Sequence, residues 1–238
     1  MSGDQVSLVA RNDKIIICLG EKLYKKHGHL EHMYNYIGQK MREMARLLIC
    51  TREEDSEITT VEDLVDPKHF PLALRCTQNI CGYEEDTNSY RNPFLALKLG
   101  YSLKKCGSIQ KANALIEENE EKRKKAENFI AVHELMWPID VSSSALTSLK
   151  TAKWNKPSPL PLTKDVSKLQ TLIKEKILEL SKSLSDGIKN SKVEKNVYSQ
   201  LSEVTLVKLV MFNRRRCGEA ERLTIESYQQ KSGNNAPI

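Results

Sequence analysis

Three consecutive arginines, Arg214-Arg215-Arg216, stand in a short polar stretch from Asn213 to Gly218. Glu219 follows three residues after Arg216, and Leu223 four residues later. A guanidinium is permanently charged and offers a planar fork of donors matched to phosphate oxygens. Such a cluster can therefore hold phosphate. It also reads as a solvated basic turn between two helices, with Arg216 and Glu219 at ion-pair spacing. Cysteine and histidine chemistry finds less support. Cys18, Cys50, Cys106 and Cys217 are scattered, and Cys76 and Cys81 are separated by four residues. His27, His29 and His32 cluster without a C-x-x-C nearby, so no metal site is expected. No motif implies a cofactor.

The elements that must position the arginines are helical. Leu206, Leu209, Val210 and Phe212 mark an apolar run before the turn, and Ala220, Leu223 and Ile225 mark one after it. Upstream, Val166, Leu169, Leu172, Ile173, Ile177, Leu180 and Leu184 recur at helical spacing in a helix opened by Thr163 and closed by Asp186-Gly187. Before that helix lies Trp154 to Leu162, whose three prolines bar a helix and define a linker.

The N-terminal part is a series of helices. Lys14 to Cys50 is expected to break near Gly28, and Val61 to Pro71 to form a short helix and turn. A helix from about Leu72 to Ile80 ends at Gly82, and Gly82 to Pro93 is a turn-rich loop. Phe94 to Leu103 is apolar on one face, with Gly100 permitting close approach. Ile109 to Trp137 reads as one long helix, ended by Pro138, and Ala145 to Lys153 as another. The mixed charges of Glu117 to Lys125 suit a solvated helix face, with Glu118–Lys122 and Glu121–Lys125 as i,i+4 pairs. His133 reads as a core-edge histidine rather than a base.

Composition agrees with a helical protein that buries a core. The chain has 238 residues, is 39% hydrophobic and 29% charged, and carries a net charge of +6. That mild excess is compatible with nucleic acid. No apolar run approaches the ~18 residues of a membrane span, and Met1 to Lys14 lacks the apolar core of a signal peptide. An intracellular setting with free thiols is expected, and no membrane partner.

The segment Arg216-x-x-Glu219-x-x-x-Leu223, preceded by a helical domain, a Pro-rich linker and an amphipathic helix, resembles the first arginine box of the tyrosine recombinases. The resemblance is nearest to mobile-element-derived animal members of that phage-integrase-like family. The usual Thr-Gly before the arginine is replaced here by Arg214-Arg215. The resemblance implies a mainly α fold: a core-binding-like domain over residues 1–153, a linker over 154–162, the helical start of a catalytic-like domain over 163–228, and an unstructured tail over 229–238. Any strand is expected near Leu223 to Tyr228. Arg216 would be the phosphate-binding arginine and Glu219 its support. Arg214, Arg215, Lys150, Lys153 and Lys156 would contact the DNA backbone. The family's hairpin lysine, His-x-x-Arg box and nucleophilic tyrosine all follow the first arginine, and no histidine follows His133. The implied object is a truncated, catalytically inactive relative that binds DNA weakly in the nucleus. Self-association or a partner chain stays open, as does the reading of a helical interaction protein with no nucleic-acid role.

Overall fold

The computed structural model describes residues 4–154, 162–190, 192, 194–213, 217–222 and 224–226. It is mainly α-helical and divides into two compact units, Met1–Lys156 and Pro157–Ile238. Most of the expected linker, and the whole of the expected tail over 229–238, lie outside the described residues.

The first unit begins with α1 (Gln5–Asn12), α2 (Lys14–His27) and α3 (Met33–Glu54). Asp4 caps α1, accepting the Ser7 N–H at 2.8 Å, and forms a bidentate pair with Arg42 of α3. Hydrogen bonds from Arg42 and Ser7 hold the Asp4 carboxyl well below the usual carboxylate range. Asp13 separates α1 from α2. One of its oxygens accepts the Ile16 N–H at 2.9 Å and caps α2. The other accepts the Val61 N–H at 2.8 Å, at the first residue of α4 (Val61–Leu64). Both helix starts leave amide protons with no partner inside their own helix, and one buried carboxylate serves both.

A 3₁₀ turn (Pro67–His69) leads into α5 (Phe70–Cys81), which ends at Gly82. Gly82 has φ +65°, the left-handed C-cap conformation that glycine adopts without a Cβ penalty. The loop that follows holds a two-residue antiparallel pair, β1 (Tyr83–Glu84) and β2 (Ser89–Tyr90). This is not where the family resemblance places a strand, near Leu223 to Tyr228. Leu223, Tyr228 and residue 227 lie outside the described residues, and Ile225 and Glu226 are helical. The Ser148 hydroxyl accepts the Tyr90 N–H at 3.0 Å and ties the hairpin to the following helices.

α6 (Pro93–Ile116) and α7 (Glu120–Trp137) pack side by side. The single helix expected from Ile109 to Trp137 is therefore two. Glu118 takes φ 53°, which ends α6, and the Asn119 side chain accepts the Lys122 N–H at 3.0 Å, which starts α7. Glu118 is thereby outside α7, and Lys122 pairs with Glu62 instead. The Glu121–Lys125 pair forms at 2.9 Å. Pro138 does not stop the helical path. It opens a π turn (Pro138–Ser142) that passes directly into α8 (Ser143–Thr151). Pro138 has no N–H to donate back into α7, and the helical register changes to the wider π turn at that residue.

The core of this unit joins Ile16 and Leu19 of α2, Met44, Leu47 and Leu48 of α3, Leu64 of α4, Phe70 of α5, Leu99 and Leu103 of α6, and Phe129 of α7. Gly100 lets α6 approach α7. A Cβ there would overlap the Trp137 indole, which is itself buried. The Lys40–Glu43 ion pair is also buried: Lys40 Nζ lies 3.0 Å from Glu43 Oε2, and Gln39 donates to the other oxygen of Glu43 at 3.0 Å.

The second unit contains α9 (Thr163–Lys189), α10 (Lys195–Asn213) and the short α11 (Cys217–Glu221). α9 and α10 pack against each other as a helical hairpin. Leu162, not Thr163, occupies the cap position, and Gly187 lies inside α9, which continues to Lys189. Ile173 and Leu180 are buried, but Leu169 and Leu172 are 43% and 52% exposed. A hairpin offers each helix one neighbour, so only part of a broad apolar face is covered.

Asp13→Ala should destabilise the first unit by about 2–4 kcal/mol in urea unfolding, because it strips partners from two buried amides. Gly100→Ala should destabilise it by about 1–3 kcal/mol through overpacking. A change below roughly 0.5 kcal/mol in either, the range of ordinary surface substitutions, would contradict these contacts.

Candidate nucleic-acid interface

Arg214, Arg215 and Arg216 fall between α10 and α11 in sequence and lie outside the described residues, as does Lys156. Glu219 is in the first turn of α11 and is exposed, between the half-buried Gly218 and Ala220. Lys150 is in the last turn of α8, and Lys153 follows in the turn after it; both are exposed, next to an exposed Trp154. The described residues thus bring none of the candidate cations into one shared pocket, but they leave Lys150 and Lys153 at the surface.

The distribution of charge separates the two units. Residues 157–238 contain fourteen Lys and Arg against nine Asp and Glu, so +5 of the net +6 belongs to them and +1 to residues 1–156. In the first unit the cations of α6 and α7 are largely matched. Lys104 pairs with Glu134 at 2.8 Å, Lys111 with Glu127 at 3.0 Å, and Arg123 with both Glu120 and Glu127. The charged run at the start of α7 is thus an ion-paired surface, and hydrogen bonds from their partners keep Glu120, Glu121 and Glu127 below the usual carboxylate range. In the second unit, among the described residues, the one ion pair is Lys189–Asp186 at 3.9 Å. Lys164, Lys168, Lys174, Lys176 and Lys182 stand exposed along α9 without a carboxylate in ion-pair reach. Arg214 to Arg216 thus belong to a unit with surplus positive charge. The sequence alone points to the arginines but not to the α9 lysines, which stand out only once the placement of the acids around them is visible.

The buried histidine contributes nothing to this surface. His133 stacks on Trp137 with ring centroids 4.8 Å apart and stands edge-on to Phe70 at 6.2 Å. Its ring hydrogen-bonds to the Gly100 backbone, and Nε2 is buried without a partner. Burial, helped by the nearby Lys104 charge, pushes its pKa down to about 4. It is a neutral packing residue at physiological pH, more deeply placed than the core edge.

Comparison of the chain with protein-family models, with curated proteins and with solved structures yields no match.

The His133 environment sets a pH dependence. The unfolded chain takes up this proton near pH 6.5 and the folded chain near pH 4, so acid favours unfolding. The stabilisation is complete above pH 6.5 and is lost as pH falls towards 4; it amounts to about 3 kcal/mol. The stability difference between wild type and His133→Gln in urea unfolding should therefore change between pH 7 and pH 4, with wild type losing more on acidification. A difference that does not change with pH would contradict a depressed His133 pKa.

Proposed function

We propose that this chain binds nucleic acid through the phosphate backbone, as a catalytically incomplete relative of the tyrosine recombinases. The observation that carries the reading is the surplus of positive charge in residues 157–238, with Lys164, Lys168, Lys174, Lys176 and Lys182 of α9 exposed and unpaired among the described residues. Within that unit, the arginine run follows a packed helical hairpin, in the order of the recombinase box. On this reading Arg216 holds a phosphate, with Glu219 as its support. Arg214 and Arg215 add backbone contacts, and Lys150, Lys153 and Lys156 are secondary contacts from the first unit. Each phosphate neutralised releases condensed counterions, so binding is salt-dependent and tolerant of sequence. Positioning a phosphate is also all these residues can do. Strand transfer also needs a nucleophile and a proton donor to the leaving oxygen, and His133 is buried and neutral and cannot be that donor.

One observation favours a second reading, a helical interaction protein. α9 and α10 expose Leu169, Leu172, Leu206, Leu209 and Phe212, the last at 84%. Leu209 and Phe212 also line a groove of about 550 Å³ between the two helices. A partner helix could cover such a face.

DNA affinity measured across a roughly fourfold rise in salt separates the readings. Phosphate binding requires a negative log–log slope. The triple variant Arg214→Ala/Arg215→Ala/Arg216→Ala should weaken binding and make that slope shallower by about 0.9 for each phosphate no longer neutralised. Lys150→Ala/Lys153→Ala should have a smaller effect. Neither wild type nor variant should form a covalent adduct with a nicked suicide substrate. A wild type without salt-sensitive binding would leave the interaction reading standing, and a trapped phosphotyrosyl adduct would overturn the inactive assignment.

A further inference from the structure

Cys50 and Glu54 are four residues apart on α3 and so share one face of that helix. α5 packs across α3 and brings Cys76 to the same place. The two Sγ atoms and a carboxylate oxygen of Glu54 all lie within 4.8 Å of one another. The Cys76 thiol donates to Glu54 Oε1 at 3.4 Å. Among the described residues this is the one such group of cysteine, histidine and acidic side chains. We propose that Cys50, Cys76 and Glu54 form a three-ligand Zn²⁺ site between α3 and α5.

The geometry and the donor set agree. A tetrahedral zinc with bonds of about 2.3 Å to sulfur and about 2.0 Å to oxygen holds neighbouring ligand atoms about 3.5–3.8 Å apart. The Cys76–Glu54 separation already matches that edge, and the third donor needs only a small side-chain adjustment. Two thiolates and one carboxylate suit Zn²⁺, whereas Mg²⁺ and Ca²⁺ prefer oxygen alone. Cys76 is buried, Cys50 is half-buried and Glu54 reaches the surface. An ion therefore enters from the Glu54 side, and water completes the fourth position. Binding displaces the two thiol protons to solvent.

Arg75 supplies the outer support. Its Nε donates to Glu54 Oε2 at 2.7 Å, which leaves Oε1 turned to the thiols. Two thiolates, one carboxylate and a dication sum to one negative charge, and the Arg75 guanidinium balances it. Arg75 is a positioning residue. Its removal keeps all three ligands, and outer-shell losses of this kind lower metal affinity about 10–100-fold.

The test uses the full chain, reduced, stripped with chelator and titrated with Zn²⁺ under native mass spectrometry, with Co²⁺ absorption as a second readout. One zinc per chain and a thiolate-to-cobalt charge-transfer band are expected. Cys50→Ser and Cys76→Ser should each abolish the stoichiometric uptake, Arg75→Ala should weaken binding about 10–100-fold while circular dichroism stays unchanged, and Cys217→Ser should bind as wild type. The proposal is overturned if the reduced chain takes up no stoichiometric zinc, or if the double variant Cys50→Ser/Cys76→Ser still binds it. Isolation of a Cys50–Cys76 disulfide whose reduction restores no zinc uptake would overturn it as well.

Discussion

The carboxylate of Asp13 holds together two helix starts, that of α2 beside it and that of α4, whose first residue, Val61, lies 48 residues further along the chain. It is 4% exposed, so neither of the amides it accepts can turn to water instead. Much of the first unit follows from this point. α2 is launched against α3, α4 is pinned beside α2, and the 3₁₀ turn that follows delivers Phe70 into the core. Phe70 then meets Phe129, His133 and Trp137 of α7, and Trp137 reaches α6 through the space left by Gly100. A polar contact and an aromatic stack fix the same set of helices.

The two units solve their charge problem differently. The first is nearly neutral and pairs many of its lysines and arginines with carboxylates, most densely along α7. Surface pairs of this kind add little stability individually. Their consequence here is that the positive charge is neutralised locally. The second unit carries most of the net charge, has one ion pair among its described residues, and also leaves apolar side chains of α9 and α10 in solvent. Unmatched cations and an uncovered apolar face are both features of a surface that meets something else. The first favours a polyanion, the second an apolar partner, and a protein on DNA could meet both.

Helical periodicity is legible along most of the chain because long apolar stripes at three- and four-residue spacing survive any local irregularity. Gly82 announces its own cap, and Gly100 its close contact. What the sequence hides is local or spatial. Nothing in the residue type of Glu118 signals a left-handed conformation, so α6 and α7 read as one helix. Pro138 reads as a stop, although the chain only changes its helical pitch there. Leu169 and Leu172 carry the right spacing for a core but have no second helix to bury them. Tyr83 and Tyr90 sit in strands too short to show alternation. Cys50, Glu54 and Cys76 are invisible as a group because their proximity depends on how α5 crosses α3. The arginine run is legible from residue types alone, while the α9 lysines from Lys164 to Lys182 gain meaning only because, among the described residues, no carboxylate pairs with them.

The central claim is that the second unit meets a phosphate backbone. Hydrogen–deuterium exchange of the whole chain, with and without a mixed-sequence DNA duplex at low salt, tests it most directly. The account predicts protection that concentrates in α9 and in the peptides spanning Asn213 to Glu219, with α7 unchanged because Lys122, Arg123 and Lys125 are already paired. Protection confined to α7, or none anywhere at saturating duplex, would contradict it.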